Sequence, residues 1–213
     1  PTELIAQRLG QTIGRFDDSF AQRRPAVAVQ GRAGLGRGAR QHGFDIGAHL
    51  TAQGFTRFGF IKGLQGHASA ETRFDGFLAA LARAGVPGEA VEWRRGNFTF
   101  RSGLDCAQDL LKVEPRLHAL VCANDDMAAG ALLAAHKAGL RIPQDVAITG
   151  FDDTPVSEIV WPPLTTIHQP LRRMGAKAVE RLAEAAAGGQ PTIAGREIVR
   201  HDLVIRDSSF VAG

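Results

Sequence analysis

From Phe44 onward, the hydrophobic positions of this sequence alternate between short continuous runs and helical spacing. The continuous apolar runs predict buried strands over residues 56–61, 90–94, 117–123 and 146–151. Apolar residues three or four positions apart predict helices over residues 44–53, 70–84, 99–113, 124–139 and 171–187. Strands that alternate with helices are typical of an α/β fold with a parallel sheet.

The remaining parts of the chain have weaker patterns. Pro155, Pro162 and Pro163 predict an irregular stretch, and further strands are expected within 197–205. Leu4, Ile5, Leu9 and Ile13 suggest a helix, and Ala26 to Val29 suggest a strand. Residues 23–43 are rich in Arg and Gly with almost no apolar pattern, so we predict a loop there.

Part of this tract, Gly34-x-Gly36-x-x-Ala39, loosely imitates a dinucleotide-binding turn. No apolar helical pattern begins there, and the next predicted strand ends at Lys62-Gly63, with no acid to hold a ribose. A flexible loop is therefore favoured over a cofactor site.

The composition is that of a globular protein. The 213 residues are 44% hydrophobic and 22% charged, which excludes a disordered tail, a coiled coil and a disulfide miniprotein. Basic residues exceed acidic ones by 25 − 22 = 3, so charge alone indicates no nucleic-acid surface. Cys106 and Cys122 lie in apolar stretches and are expected to be reduced thiols, which favours the cytoplasm. No secretion signal or transmembrane run is present, although a start at Pro1 suggests a fragment.

The usual motifs of catalysis are missing from the sequence. The histidines are scattered without an HExxH motif, and the serines lack a GxSxG setting. The adjacent acids Asp152 and Asp153 are expected to diverge, whereas the two carboxylates of a glycosidase flank one bond. We therefore expect no enzyme, no metal site and no cofactor.

Polar and aromatic residues follow successive predicted strands. They are Ser69 and Arg73, Phe98, Asn124, and Asp152. Because parallel strands end at one edge of a sheet, these groups are expected to meet there. Carboxylate, amide and guanidinium groups bind hydroxyls, and an aromatic ring stacks on a sugar face, so the set suits a polyol. The alternative is that Asn124 and Asp152 merely cap a helix or a turn.

Several phrases of the sequence together resemble one known family. They are Ala123–Gly130 (ANDDMAAG), Gly139–Val146 (GLRIPQDV), Gly150–Asp153 (GFDD), Pro163–Pro170 (PLTTIHQP) and Met174-Gly175. In this order and spacing they resemble the effector-binding domain of the lactose/galactose repressor (LacI/GalR) family of bacterial transcription regulators. The resemblance runs from about Phe44 to Phe210.

The resemblance implies a type I periplasmic-binding-protein-like fold, in which parallel sheets flanked by helices form two subdomains. Residues 44–166 and 193–213 would form a complete C-terminal, effector-binding subdomain. Residues 1–43 and 167–192 would form a partial N-terminal subdomain. The chain would lack the helix-turn-helix headpiece.

The family's effector contacts correspond to Ser69, Arg73, Phe98, Asn124, Asp152 and Gln169. The implied function is binding of a sugar-like effector by a cytoplasmic, allosteric repressor or activator. The implied partners are the effector, a second copy in a homodimer, and operator DNA through the missing headpiece, with no membrane. The sequence departs from the family at Gln30, where many relatives carry an acid.

Two other interpretations stay open at this point. A periplasmic sugar receptor of a transporter has the same fold, and a secretion signal in the full gene would favour it. A nonfunctional gene fragment is the other, because residues 1–43 match the family poorly.

Overall fold

The computed structural model describes residues 32–186 and 199–210, with side chains described for 38–183 and 199–210. All of these except Arg32 and Ala33 belong to one compact unit, Gly34–Gly213. The predicted helix over Leu4–Ile13, the strand over Ala26–Val29 and Gln30 lie outside the described residues.

A parallel sheet forms the centre of this unit. Its strands are β1 (Phe58–Lys62), β2 (Val91–Arg95), β3 (Ala119–Cys122) and β4 (Ala147–Thr149), in the order β2-β1-β3-β4. All three pairings are parallel, and Phe60 of β1 is in register with Trp93 on one side and Val121 on the other. The carboxyl ends of the four strands therefore lie at one edge, as the sequence predicts.

Two layers of helices bury the sheet. The helices are α1 (Arg32–Ala52), α2 (Ala68–Arg83), α3 (Phe100–Leu110) and α4 (Asp125–Lys137). One core cluster joins Leu50 of α1 and Phe77 of α2 to Phe60 in the sheet. The other joins Leu104 of α3 and Met127 of α4 to Leu120. Because the two clusters use different strand residues, helices cover the sheet on both faces.

A second sheet, of two strands, follows the parallel sheet. A one-turn helix α5 (Val156–Ile159) precedes β5 (Thr166–His168), which pairs antiparallel with β6 (Asp202–Val204). Between β5 and β6 lies α6 (Leu171–Ala186), on which Leu171, Val179 and Leu182 are exposed. The sheet order and helix layers confirm the predicted α/β class.

The loop prediction for residues 23–43 is wrong over 32–43, where α1 is already helical. Tertiary packing explains the difference, because α1 crosses α2 at glycines. A Cβ at Gly43 would lie 1.8 Å from the Arg73 carbonyl oxygen, and one at Gly76 would lie 1.9 Å from that of Arg40. Glycines that look like loop residues in the sequence here allow two backbones to approach.

The irregular stretch predicted from three prolines also contains a helical turn, α5. Pro155, at φ −53°, has the backbone angle of a helix start, and the Ser157 hydroxyl donates to the Thr154 carbonyl oxygen at 2.7 Å. The proline therefore begins this turn of helix.

Candidate functional site

The candidate site lies at the carboxyl edge of the parallel sheet, where Arg73 projects from α2. Its Nη1 donates a 2.7 Å hydrogen bond to the Ala123 carbonyl oxygen, and its guanidinium carbon lies 3.4 Å from the centre of the Phe151 ring. Burial lowers the pKa of Arg73 to about 10, an effect that negative Asp152 opposes. The group thus stays cationic at neutral pH, with a flat aromatic surface below it.

Asp152 follows β4 and contacts Gln169, the first residue after β5. Its Oδ1 accepts a 2.7 Å hydrogen bond from Gln169 Nε2, and its backbone N–H donates to the Ile167 carbonyl oxygen at 3.1 Å. Burial raises the pKa of Asp152, while the positive charge of Arg73 and the hydrogen bond from Gln169 oppose that rise. Arg73, Asp152 and Gln169, three of the predicted effector contacts, therefore interact electrostatically.

Asn124 has a structural role in which both its amide oxygen and its amide nitrogen are hydrogen-bonded. Its Oδ1 accepts from the Met127 backbone N–H at 3.1 Å as the N-cap of α4, and its Nδ2 donates to the Phe98 carbonyl oxygen at 2.9 Å. The capping alternative is thus present in the structure. A contact between Asn124 and a ligand stays a prediction.

Phe98 follows β2, and its ring lies against the backbone just after β1. Its φ of 68° lies in the left-handed region, and the hydrogen bond from Asn124 to its carbonyl holds the backbone there. The ring packs directly over Gly63, where an added Cβ would meet the ring Cζ at 2.0 Å. Gly63 is therefore required for the position of the ring.

Ser69 is joined to this group only indirectly. It lies in the first turn of α2, and its hydroxyl is 3.0 Å from His67 Nδ1. The His67 ring in turn packs edge-on against Phe98 at 5.1 Å between centroids. The structure brings Arg73, Asp152 and Gln169 together, and Phe98 with Asn124, while Ser69 lies beside His67.

Asp125 follows the same predicted strand as Asn124 but is not among the predicted effector contacts, and it is 1% exposed. Its Oδ1 accepts from the Thr166 hydroxyl at 2.6 Å, and its Oδ2 accepts from the Thr154 backbone N–H at 2.7 Å and from the Thr154 hydroxyl at 3.1 Å. Gly150 makes room for it, since a Cβ there would lie 2.3 Å from Asp125 Oδ1. This carboxyl connects α4, the turn after β4, and β5. The signals in the sequence were the ANDDMAAG phrase, which contains Asp125, and Gly150 of the GFDD phrase.

A second feature that the sequence did not reveal lies behind the Arg73–Phe151 stack. The buried His42 ring packs against Phe151 at 5.0 Å and against His201 at 4.0 Å between centroids. Burial, with smaller effects from His201 and Arg73, lowers the pKa of His42 to about 3, so the ring is neutral. His201 Nε2 is paired with Asp45 Oδ2 at 2.6 Å. His42 lies in the Arg/Gly tract, where no pattern marked it as buried.

A concave pocket lies next to this histidine pair, away from the predicted contacts. It has a volume of about 610 Å³ and is lined by Gly38, Arg40, Gln41, Phe44, Asp45, Arg200 and His201. None of the predicted effector contacts lines it. The candidate site is therefore assigned from the polar groups that converge at Asp152, and not from this pocket.

The described residues contain no cluster of metal ligands. Within 32–186 and 199–210, no group of three His, Cys, Asp or Glu residues could hold a metal ion. Cys106 and Cys122 are free thiols. Among the helices of these ranges, none is long and apolar enough to cross a membrane.

Comparison with known proteins finds a family model that matches residues 48–209 and is described as a periplasmic binding protein-like domain. Among curated proteins, the HTH-type transcriptional repressor PurR of Mannheimia succiniciproducens is 37% identical over 168 residues. That match covers 78% of this chain and 49% of PurR, so the chain spans about half the length of this relative.

Solved structures of regulators are similar as well. The transcription regulator GntR of Chromobacterium violaceum superimposes with a TM-score of 0.75 at 33% identity, over 81% of this chain and 63% of that one. A sugar-binding transcriptional regulator (LacI family) of Escherichia coli, complexed with phosphate, has a TM-score of 0.71 at 29% identity, over 80% and 61%.

Proposed function

Because this chain belongs to the family of periplasmic binding protein-like domains, we propose that it is the effector-binding part of a ligand-responsive bacterial transcriptional regulator. The predicted resemblance to LacI/GalR regulators is confirmed by the matched relatives. They support a regulator over a periplasmic transporter receptor. The role proposed for this chain is ligand binding, without a catalytic step.

The arrangement of Arg73 and Asp152 carries the proposal. Each shifts the pKa of the other, yet no hydrogen bond joins them in the described part of the chain. A ligand hydroxyl between them can accept from the guanidinium and donate to the carboxylate. Phe98 offers a ring for an apolar sugar face. This combination favours a sugar-like effector, a polyol with one flat apolar face.

The two-subdomain boundaries are part of the proposal. Residues 44–166 and 193–213 form the effector subdomain, and residues 1–43 and 167–192 belong to the other. Gln169 then lies just past the crossing, in contact with Asp152. An effector that binds one arrangement of the subdomains better than another shifts their equilibrium, and such coupling is typically worth about 1–3 kcal/mol.

A homodimer is the proposed assembly. Ile159 is the last residue of α5, and Trp161 lies two residues further on. Their side chains are 81% and 75% exposed, which is unusual for such large apolar groups. A second copy would cover them. Operator DNA is proposed as a partner of the whole regulator through a helix-turn-helix headpiece, and binding to DNA places it in the cytoplasm.

Thermal unfolding with a panel of sugars, nucleosides and sugar phosphates tests the effector site. A ligand at 100 times its Kd stabilises the folded state by about 2.7 kcal/mol, which raises Tm measurably. We expect one compound class to raise Tm and Asp152→Ala to abolish the effect.

Asp109→Ala is the matched control, since Asp109 is an exposed carboxylate on α3 that pairs with Lys112. It should leave the ligand-induced shift in place. An equal shift in wild type and Asp152→Ala would contradict the proposed site, and a panel without any effect would contradict the sugar-like ligand class.

A further inference from the structure

Two consecutive aspartates after β4 have backbone angles that favour glycine. Asp152 has a φ of 111° and Asp153 a φ of 53°. Aspartate tolerates this region better than most residues, but two in succession persist only where the surroundings hold them. The turn that carries the candidate effector contact is therefore fixed from outside.

Asp153 supplies the constraint through contacts to two distant segments. Its Oδ1 accepts a 2.8 Å hydrogen bond from Arg206 Nη2, and its Oδ2 lies 2.8 Å from His168 Nδ1. Its backbone N–H also points to the Thr166 hydroxyl at 3.3 Å. The side chains of Asp153 and Arg206 are only 16% and 15% exposed, so little water competes with this ion pair.

Arg206 is itself held at several points. Its Nη1 donates to the Leu164 carbonyl oxygen at 2.8 Å and to the Ser157 hydroxyl at 3.2 Å. Its Nη2 also lies 3.4 Å from the exposed Glu158. A planar guanidinium bound at both terminal nitrogens is a rigid anchor for the carboxylate of Asp153.

The two aspartates hold successive residues of the same strand end. Asp153 contacts His168, the last residue of β5, while Asp152 accepts from Gln169, the next residue. A displacement of His168 relative to the turn would also displace Gln169 relative to Asp152. The geometry of the candidate effector contact is therefore coupled to the Asp153 contacts.

We propose that Asp153, anchored by Arg206, is a positioning residue that keeps the Asp152 carboxylate and the Gln169 amide in register for the effector. The inference rests on the proposed function, because it assigns Asp152 and Gln169 to ligand binding. It adds a residue that touches no ligand and links the site to the strand through which the chain crosses to α6.

The side-chain amide of Gln169 reports on this register without any ligand. Its NH2 group gives two ¹H–¹⁵N peaks at one nitrogen shift, and the Gln169 peak is the one of the proton that bonds to Asp152. It is identified by its loss in Gln169→Glu, and its position without the acceptor is taken from Asp152→Ala. In Asp153→Gly, where glycine accepts the φ of 53°, we expect the peak to move at least half of that distance. Glu158→Ala is the control, since it removes an exposed partner of Arg206 and leaves Asp153 bound; the Gln169 peak should stay where it is in wild type.

An unmoved Gln169 peak in a folded Asp153→Gly protein would overturn the proposal and leave Asp153 a purely stabilising residue. If that variant does not fold, Arg206→Lys is measured instead, because lysine lacks the planar fork of donors through which Arg206 binds Asp153, Leu164 and Ser157. The peak should move there too, and an unmoved one is equally decisive. Failure of every ligand in the thermal assay would contradict the proposed function without changing this result.

Discussion

Replacing Asp125 by Asn should stabilise the protein at neutral pH, although the carboxyl accepts three hydrogen bonds. Asn has the same shape, and its Oδ1 can accept from the Thr154 backbone N–H. Its Nδ2 can donate to the Thr166 hydroxyl once that hydroxyl turns. The substitution removes a charge that is only 1% exposed and keeps two of the contacts.

The pKa of Asp125 determines how much Asp125→Asn should stabilise the protein. Burial raises the pKa from 3.8 to about 6, and the hydrogen bonds from Thr166 and Thr154 oppose the rise. A raised pKa means that folding favours the protonated form. The resulting stabilisation is complete below about pH 4 and is lost as the pH rises through about 6. At 1.36 kcal/mol per pH unit the full loss is about 3 kcal/mol, roughly half of it between pH 5 and 8.

Urea unfolding followed by tryptophan fluorescence at several pH values between about 5 and 8 measures this effect. The free energy of unfolding of Asp125→Asn minus that of wild type should increase by about 1.4 kcal/mol from the acid to the alkaline end. Asp126→Asn, an exposed carboxylate in the same helical turn, is the matched control for the loss of a charge near the helix N-terminus. A difference that is constant with pH would mean that folding does not raise the pKa of Asp125.

Three further predictions concern packing, capping and assembly. Gly76→Ala should lower the free energy of unfolding by about 2 kcal/mol or more, because the added Cβ would meet the backbone of α1. Gly175→Ala on α6 is the comparison: nothing lies within 4 Å of the added Cβ, so it should stabilise by roughly 0.5–1 kcal/mol. Equal Tm values for the two variants would contradict the close helix crossing. Asn124→Ala should lower the unfolding free energy by about 1 kcal/mol and Asn124→Asp by less, because the carboxylate still caps Met127; urea titrations compare them. Trp161→Glu should turn a dimer into a monomer in sedimentation velocity, and an unchanged sedimentation coefficient would argue against that interface.

The alternation of strands and helices was predictable because each element carries its own signal. The run at 117–123 contains β3, and the apolar spacing at 70–84 coincides with α2 within two residues at its start and one at its end. The start of α1 was not predictable, because its glycines and His42 are explained by contact with α2 and Phe151. A single stretch of sequence cannot show which other segment will pack against it.

The candidate site shows the same division. Which residues follow the strands can be read from the sequence alone, since the carboxyl ends of parallel strands meet at one edge of the sheet. The packing of the folded chain makes Asn124 cap α4 and bond to Phe98, and it brings Asp125 to β5. It alone joined Arg206 to Asp153, residues more than fifty positions apart. Such pairings depend on short-range hydrogen bonds and burial, which arise only after distant segments have packed, and no local pattern encodes them.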